Sequence, residues 1–174
     1  MRETKAQSEL GMEMMEFNEV TNSAEASETG ELTVSKEVDY YLPYPGILPD
    51  HPLYWLKMIR DRVLLMLARE PAAKMDRLLL YADKRLRAAQ ELVNGNKIQL
   101  GITTLTKAEK YLEEVNSQYQ KVKADNKDTA EMKDKLQKAV LKHQQVMQQL
   151  LEKVPDQGKA IIEESLLKIK SFSF

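Results

Sequence analysis

Cysteine is absent from the chain. That excludes a disulfide scaffold, a thiolate zinc site, an iron–sulfur cluster and a cysteine nucleophile. Only two histidines occur, His51 and His143, too few for a histidine-rich metal site. Six glycines include no glycine-rich phosphate loop. Aromatic residues make up 6% of the chain and are not interleaved with basic runs, so no platform for stacking nucleic-acid bases is present. No stretch approaches the ~20 apolar residues that span a bilayer. The longest apolar window, Val63–Ala68, is closed by Arg62 and Arg69. The start, Met1–Lys5, lacks the apolar centre of a secretion signal.

What the chain does contain is helix-forming. Lys, Glu, Leu, Ala and Gln are abundant and 43% of its 174 residues are apolar, a composition that predicts an all-α protein. The net charge of −1 hides an uneven distribution. Residues 1–39 hold ten acidic and three basic side chains, a net of −7, and residues 40–174 hold 17 and 23, a net of +6. Residues 1–39 are polar and poor in branched apolar side chains, so they are expected to form a disordered acidic tail. Within it, Leu10, Met14 and Phe17 share one helical face, suited to a transient amphipathic turn. The neighbouring thioethers of Met12, Met14 and Met15 are the soft donors that copper(I) prefers, the lesser of the two readings. The basic half interleaves Lys and Arg with Asp and Glu at helical spacing, so nucleic acid is not expected as a partner.

Residues 40–174 are predicted to form one helical domain of about five helices. The stretch Tyr40–Tyr54 carries Pro43, Pro45, Pro49 and Pro52, so no helix or central strand passes through it. It is nonetheless rich in Tyr, Leu and Ile, which predicts an ordered strap lying across the helices that follow. Asp50 is expected to cap the first helix and Pro52 to open it. That helix, Pro52–Arg69, carries Tyr54, Trp55, Met58, Ile59, Val63, Met66 and Leu67 at spacings of three and four, with Arg62 in the stripe. Glu70-Pro71 ends it, and a second helix runs to Asn94-Gly95-Asn96. A third follows from Ile98, and Asp128 with Glu131 predicts the start of a fourth. The fourth bears Leu136, Val140, His143, Met147, Leu150 and Val154 as a heptad seam, which predicts a long antiparallel coiled-coil hairpin between helices three and four. Pro155 breaks the run before a last helix carrying Ile161, Ile162, Leu166 and Ile169. The spacing of Ala88, Leu92, Gly95 and Ala108 is faintly similar to tetratricopeptide hairpins, without an exact repeat.

Chemistry-bearing groups are sparse. His143 lies on the seam with no carboxylate three or four residues away, which favours a buried polar residue over a base or ligand. His51, in the strap, is a helix cap or a solvent-facing group. Arg60-Asp61-Arg62 and Asp83-Lys84-Arg85 place charges next to core positions. Arg62 is placed to pair with Asp83 or Asp76, as a structural ion pair or, less simply, an anion site. Glu109, Glu113 and Glu114, beside Lys107 and Lys110, predict a solvated face. No serine sits in a strand–turn–helix elbow. No catalytic residue, cofactor or metal is therefore expected.

The segment Leu42-Pro43-Tyr44-Pro45-Gly46-Ile47-Leu48-Pro49-Asp50-His51-Pro52-Leu53-Tyr54, followed by Leu56-Lys57, resembles the opening signature of a bacterial family, domain of unknown function 5667. Ala82-Asp83-Lys84-Arg85-Leu86-Arg87-Ala88-Ala89 matches that family's Ala-x-x-Arg-Leu-x-x-Ala element. The resemblance covers about residues 42–115. It marks Tyr44, Pro45, Gly46, Pro49, Asp50, Pro52, Tyr54 and Lys57 as structural signature positions. It implies an all-helical domain, commonly extracytoplasmic or in the cell envelope, with no activity attached. The resulting expectation is a non-catalytic helical scaffold whose partner is another protein, near a membrane but without a transmembrane segment. The alternative is a small-ligand or ion-sensing bundle built on Arg62, Asp83 and His143. Oligomeric state is not encoded in any pattern.

Overall fold

A computed structural model describes residues 38–124 and 130–174. The tail expected over residues 1–39, apart from Val38 and Asp39, lies outside the described residues, and so does the helix start at Asp128. The described residues form five helices, α1 (Tyr54–Leu67), α2 (Pro71–Asn94), α3 (Ile98–Ala124), α4 (Ala130–Leu151) and α5 (Asp156–Lys170), with no strand among them. The fold is all-α, as composition and periodicity predict.

Proline and turn chemistry set the boundaries. Pro71 occupies the first turn of α2, where its missing N–H costs nothing. Pro155 is the extended residue before α5. At the end of α2 the left-handed residue is Asn96, at φ 59°, and not the adjacent glycine. The Lys97 N–H donates to the Leu92 carbonyl and the Asn96 N–H to that of Val93, which satisfies the last carbonyls of α2.

Helices α2 and α3 form the most closely packed pair. Contacts at Val93–Gly101, Tyr81–Tyr111 and Lys74–Glu114 progress in opposite senses along the two chains, so the pair is an antiparallel hairpin. Gly101 permits the close approach: a Cβ there would stand 2.6 Å from Val93 Cγ2 and 3.2 Å from the Ala89 carbonyl. Along α4, Lys135 and His143 meet Asp76 and Asp83, and Lys153 just past its end meets Asn94, so α4 runs parallel to α2. Along α5, Ser165 and Lys168 meet Glu109 and Glu113, so α5 runs parallel to α3. The four helices stand at the corners of a square in the order α2, α3, α5, α4.

This corrects the expected pairing of helices three and four. They occupy opposite corners and make no close backbone approach among the described residues. The seam of α4 is buried as predicted, with Leu136, His143 and Met147 fully enclosed, but it meets α2 and α5. A heptad stripe requires a covering surface without specifying which helix supplies it. The core of the square holds Leu78, Leu79, Leu86, Leu105, Leu112, Tyr119 and Ile162, all nearly or wholly inaccessible. Each contributes about 1.5–3 kcal/mol by leaving water.

Helix α1 stands apart from this square. Its backbone comes close to α2 alone among the other helices, and Asp61 is its one buried residue. Trp55, Leu56, Ile59, Val63, Met66 and Leu67 are exposed, with Met66 at 77%. Apart from Tyr54, at its edge, the stripe expected to enter the core therefore faces outward. The inward face is Tyr54, Lys57, Asp61, Leu65 and Ala68, also at helical spacing.

Candidate functional site

The polar side chains of interest converge at two buried points, each fed by several elements. At the first, Asp83 on α2 is 3% exposed and accepts two hydrogen bonds. The Tyr40 hydroxyl, from the strap, donates to Oδ2 at 2.7 Å, and His143 Nε2, from α4, lies 2.8 Å from Oδ1. Burial, reinforced by the Asp83 charge, holds the Tyr40 phenol far above its ordinary range, so it remains a donor. His143 is fully enclosed, and its Nδ1 is buried with no hydrogen-bond partner among the described residues. Strap, α2 and α4 are thus tied at one carboxylate.

At the second point, Arg85 on α2, 8% exposed, donates from Nη1 to the Tyr54 hydroxyl at 2.6 Å. Its guanidinium carbon lies 5.1 Å from the Tyr111 ring centre and 6.0 Å from that of Tyr54, within reach of cation–π attraction. This joins α1, α2 and α3. Lys57, next on the same face of α1, donates to the backbone carbonyls of Pro45 and Ile47 and so fastens the strap to α1. Burial lowers the pKa of Lys57, opposed by the charge of Asp61. Burial likewise raises that of Tyr54.

The structure distributes the signature positions along this strap. Leu42 and Pro45 are buried and Tyr44 is 73% exposed. Gly46 adopts φ 71°, and open space lies where a side chain would begin. Pro49 is half-buried and Pro52 exposed. Asp50 does not cap α1. Its carboxylate is taken by Lys97, which holds it below the usual carboxylate range. The Leu53 N–H donates instead to His51 Nδ1 at 3.1 Å.

Three further expectations are corrected. Arg62 is exposed on α1 and pairs with neither Asp83 nor Asp76, because α1 turns its polar and aromatic side inward and its apolar stripe outward. Asp76 is engaged by Lys135. Arg62, Asp83 and His143 therefore do not form one site. His143 does have an acid partner, supplied by α2 across 60 positions of sequence. Glu109 does not belong to a solvated face. It is 5% exposed, accepts a hydrogen bond from Ser165 and pairs with Lys168. The hydrogen bonds to Glu113 and Glu109 raise the Lys168 pKa.

Sequence reasoning placed Asp61 next to core positions without assigning it a role, and did not single out Tyr40 or Tyr111. Asp61 was recoverable, since it continues the Tyr54–Lys57 face at a spacing of four. It is 7% exposed and bonded to Arg60 at 2.7 Å. Tyr40 and Tyr111 depend on contacts distant in sequence, and no local signal marks them.

The family model described as Domain of unknown function (DUF5667) matches residues 46–157. The chain belongs to this family. No curated protein and no solved structure matches it. In this DUF5667 chain the matched span begins at Gly46 in the strap and includes Lys57, Asp83, Arg85 and His143. Among the described residues of the DUF5667 chain, no group of three or more His, Cys, Asp or Glu is placed to hold a metal ion. No helix among them is long and apolar enough to cross a membrane.

Proposed function

We propose that this DUF5667 domain is a non-catalytic helical scaffold that docks another protein through the outward face of α1. The observation that carries this reading is the orientation of that helix. Six apolar side chains, Trp55, Leu56, Ile59, Val63, Met66 and Leu67, lie exposed on one side, a contiguous patch of the kind that marks an interaction surface. Arg62 and Arg60, both exposed on α1, border it on either edge. Beside it, a cleft of about 640 Å³ runs between strap and helix, with Ile47, Leu53 and Leu56 among its walls and Lys57, Arg60 and Lys84 at its margin. The complementary partner is an apolar segment flanked by acidic residues. A concave cleft accepts side-chain knobs, as helix-in-groove recognition does, whereas a lipid surface needs only the flat strip, and this favours protein. The family resemblance favours the cell envelope as the setting. The absence of catalysis is part of the proposal: Asp83 and His143, the best-formed acid and imidazole pair, are enclosed and committed to holding the strap.

The test is a pull-down from the native host with a photo-crosslinker replacing Val63, run beside Ile59→Asp and the charge reversal Arg60→Glu/Lys84→Glu. The expected outcome is a protein retained by the unaltered chain, lost with both variants, and cross-linked through an acidic apolar segment. Equal retention by the variants, retention only on anionic vesicles, or turnover in a substrate screen with no protein partner contradicts the proposal.

A further inference from the structure

We propose that the cavity beside Arg85, on the inner side of α1, is a binding site for a small amphiphilic anion, one acidic head on a compact apolar body. This goes beyond the docking surface, which lies on the opposite side of the same helix. The cavity measures about 330 Å³, at the lower end of the range for small-molecule sites. Its walls are apolar: Met58 and Leu65 from α1, Leu78 from α2 and the ring of Tyr111 from α3. Its polar groups are mainly cationic. Arg85 lines it from within, and Lys107 and Lys110, one turn apart on α3, stand at its rim.

The charge on Arg85 is the decisive feature. A guanidinium withdrawn from water is costly unless a counter-charge meets it. Asp83 and Asp61 answer to other groups, and the partners of Arg85 are a hydroxyl and two aromatic faces, all neutral. It forms no ion pair among the described residues. Stacking on two rings offsets only part of the cost. A purely structural bolt between α1 and α3 would account for Tyr54 and Tyr111. It does not account for an apolar hollow at the same place, nor for two rim lysines that form no ion pair among the described residues. The rim carboxylate, Glu114, is occupied by Gln118 at 2.7 Å and Lys74 at 3.7 Å. An acidic head between Arg85 and the lysines, with its apolar body against Leu65, Leu78 and Tyr111, satisfies all of these groups together. A carboxylate and a phosphate monoester share this chemistry, and the fork of Arg85 suits either.

Calorimetric titration of the full chain with octanoate, octyl phosphate and octanol tests the site. The expected result is saturable one-to-one binding of at least one anion, with octanol at least tenfold weaker. The stronger of the two anions identifies the head group. Arg85→Gln is expected to weaken the anion about tenfold. Because that variant also alters the α1 anchor, Lys107→Gln/Lys110→Gln, on an exposed helix face, provides a second reading: severalfold weaker anion binding with octanol unchanged. Ile59→Ser/Val63→Ser is expected to leave both unaltered. No saturable anion binding at millimolar concentration, octanol binding as tightly as the anions, or full affinity in the double lysine variant overturns the proposal.

Discussion

Helices α1 and α4 carry the same kind of pattern and have opposite fates. The stripe of α4, from Leu136 to Leu150, is buried along its length, while the stripe of α1 faces solvent. The difference lies in the polar groups interspersed with each stripe. On α4 the one polar seam residue, His143, finds a carboxylate on α2, so the whole seam can enter. On α1 the groups with partners in the body lie to one side of the stripe, and Tyr54, at its edge, turns inward with them. Tyr54 meets Arg85, and Lys57 meets the strap carbonyls. With Asp61 buried beside them, they fix which side turns inward. Apolar periodicity states that a face must be covered. Polar partners decide whether the same chain covers it.

Substitutions separate the two regions by size of effect. The largest is expected at Asp83, where Asp83→Ala strands the Tyr40 hydroxyl and His143 inside the bundle. Breaking such a buried set costs about 3–5 kcal/mol, read as a lower urea midpoint with an unchanged slope. A loss under 1 kcal/mol would mean the latch is ornamental. Next is the strap. Gly46→Val forces a β-branched residue to φ 71° with space for its side chain, so the cost is backbone strain alone, about 1–2 kcal/mol. Adding Tyr44→Ala should cost no more than about 0.5 kcal/mol further, because Tyr44 is largely exposed.

The alkaline limb of stability comes third. Burial raises the phenol pKa values of Tyr40, Tyr54 and Tyr81, so all three stay neutral in the fold where the unfolded chain ionises. Their contribution is complete below a pH of about 10 and is lost as pH rises through that value and above. Tyr40→Phe should make that decline shallower, as followed by urea unfolding at stepped pH. An identical decline in the variant would contradict the burial of Tyr40. Smallest is the outward face: Ile59→Ser with Val63→Ser should change stability by no more than about 1 kcal/mol, because each side chain keeps about half of its surface in water in the fold.

Much of this architecture is legible in the sequence. Pro71, Asn94-Gly95-Asn96 and Pro155 delimit helices through local backbone chemistry, which a short window of residues contains in full. Asp83, Arg85 and His143 are recognisable as polar residues at core positions because helical spacing alone places them there. Their partners are not recognisable. Tyr40 reaches Asp83 over 43 positions and His143 over 60, and nothing local encodes which helices become neighbours. The same limit led from the seam of α4 to the wrong partner helix. For α1 the error was of weighting, since a wide apolar stripe outranked the narrower face of Tyr54, Lys57 and Asp61.

The chain contains a single tryptophan, Trp55, and it sits on the outward stripe of α1 at 56% exposure. Acrylamide quenching of its fluorescence in the isolated, folded protein therefore tests the orientation of α1 most directly. An outward α1 predicts red-shifted emission quenched nearly as readily as free indole. Blue-shifted emission that resists the quencher until the protein unfolds would show the stripe already covered, and the proposed docking surface would be lost with it.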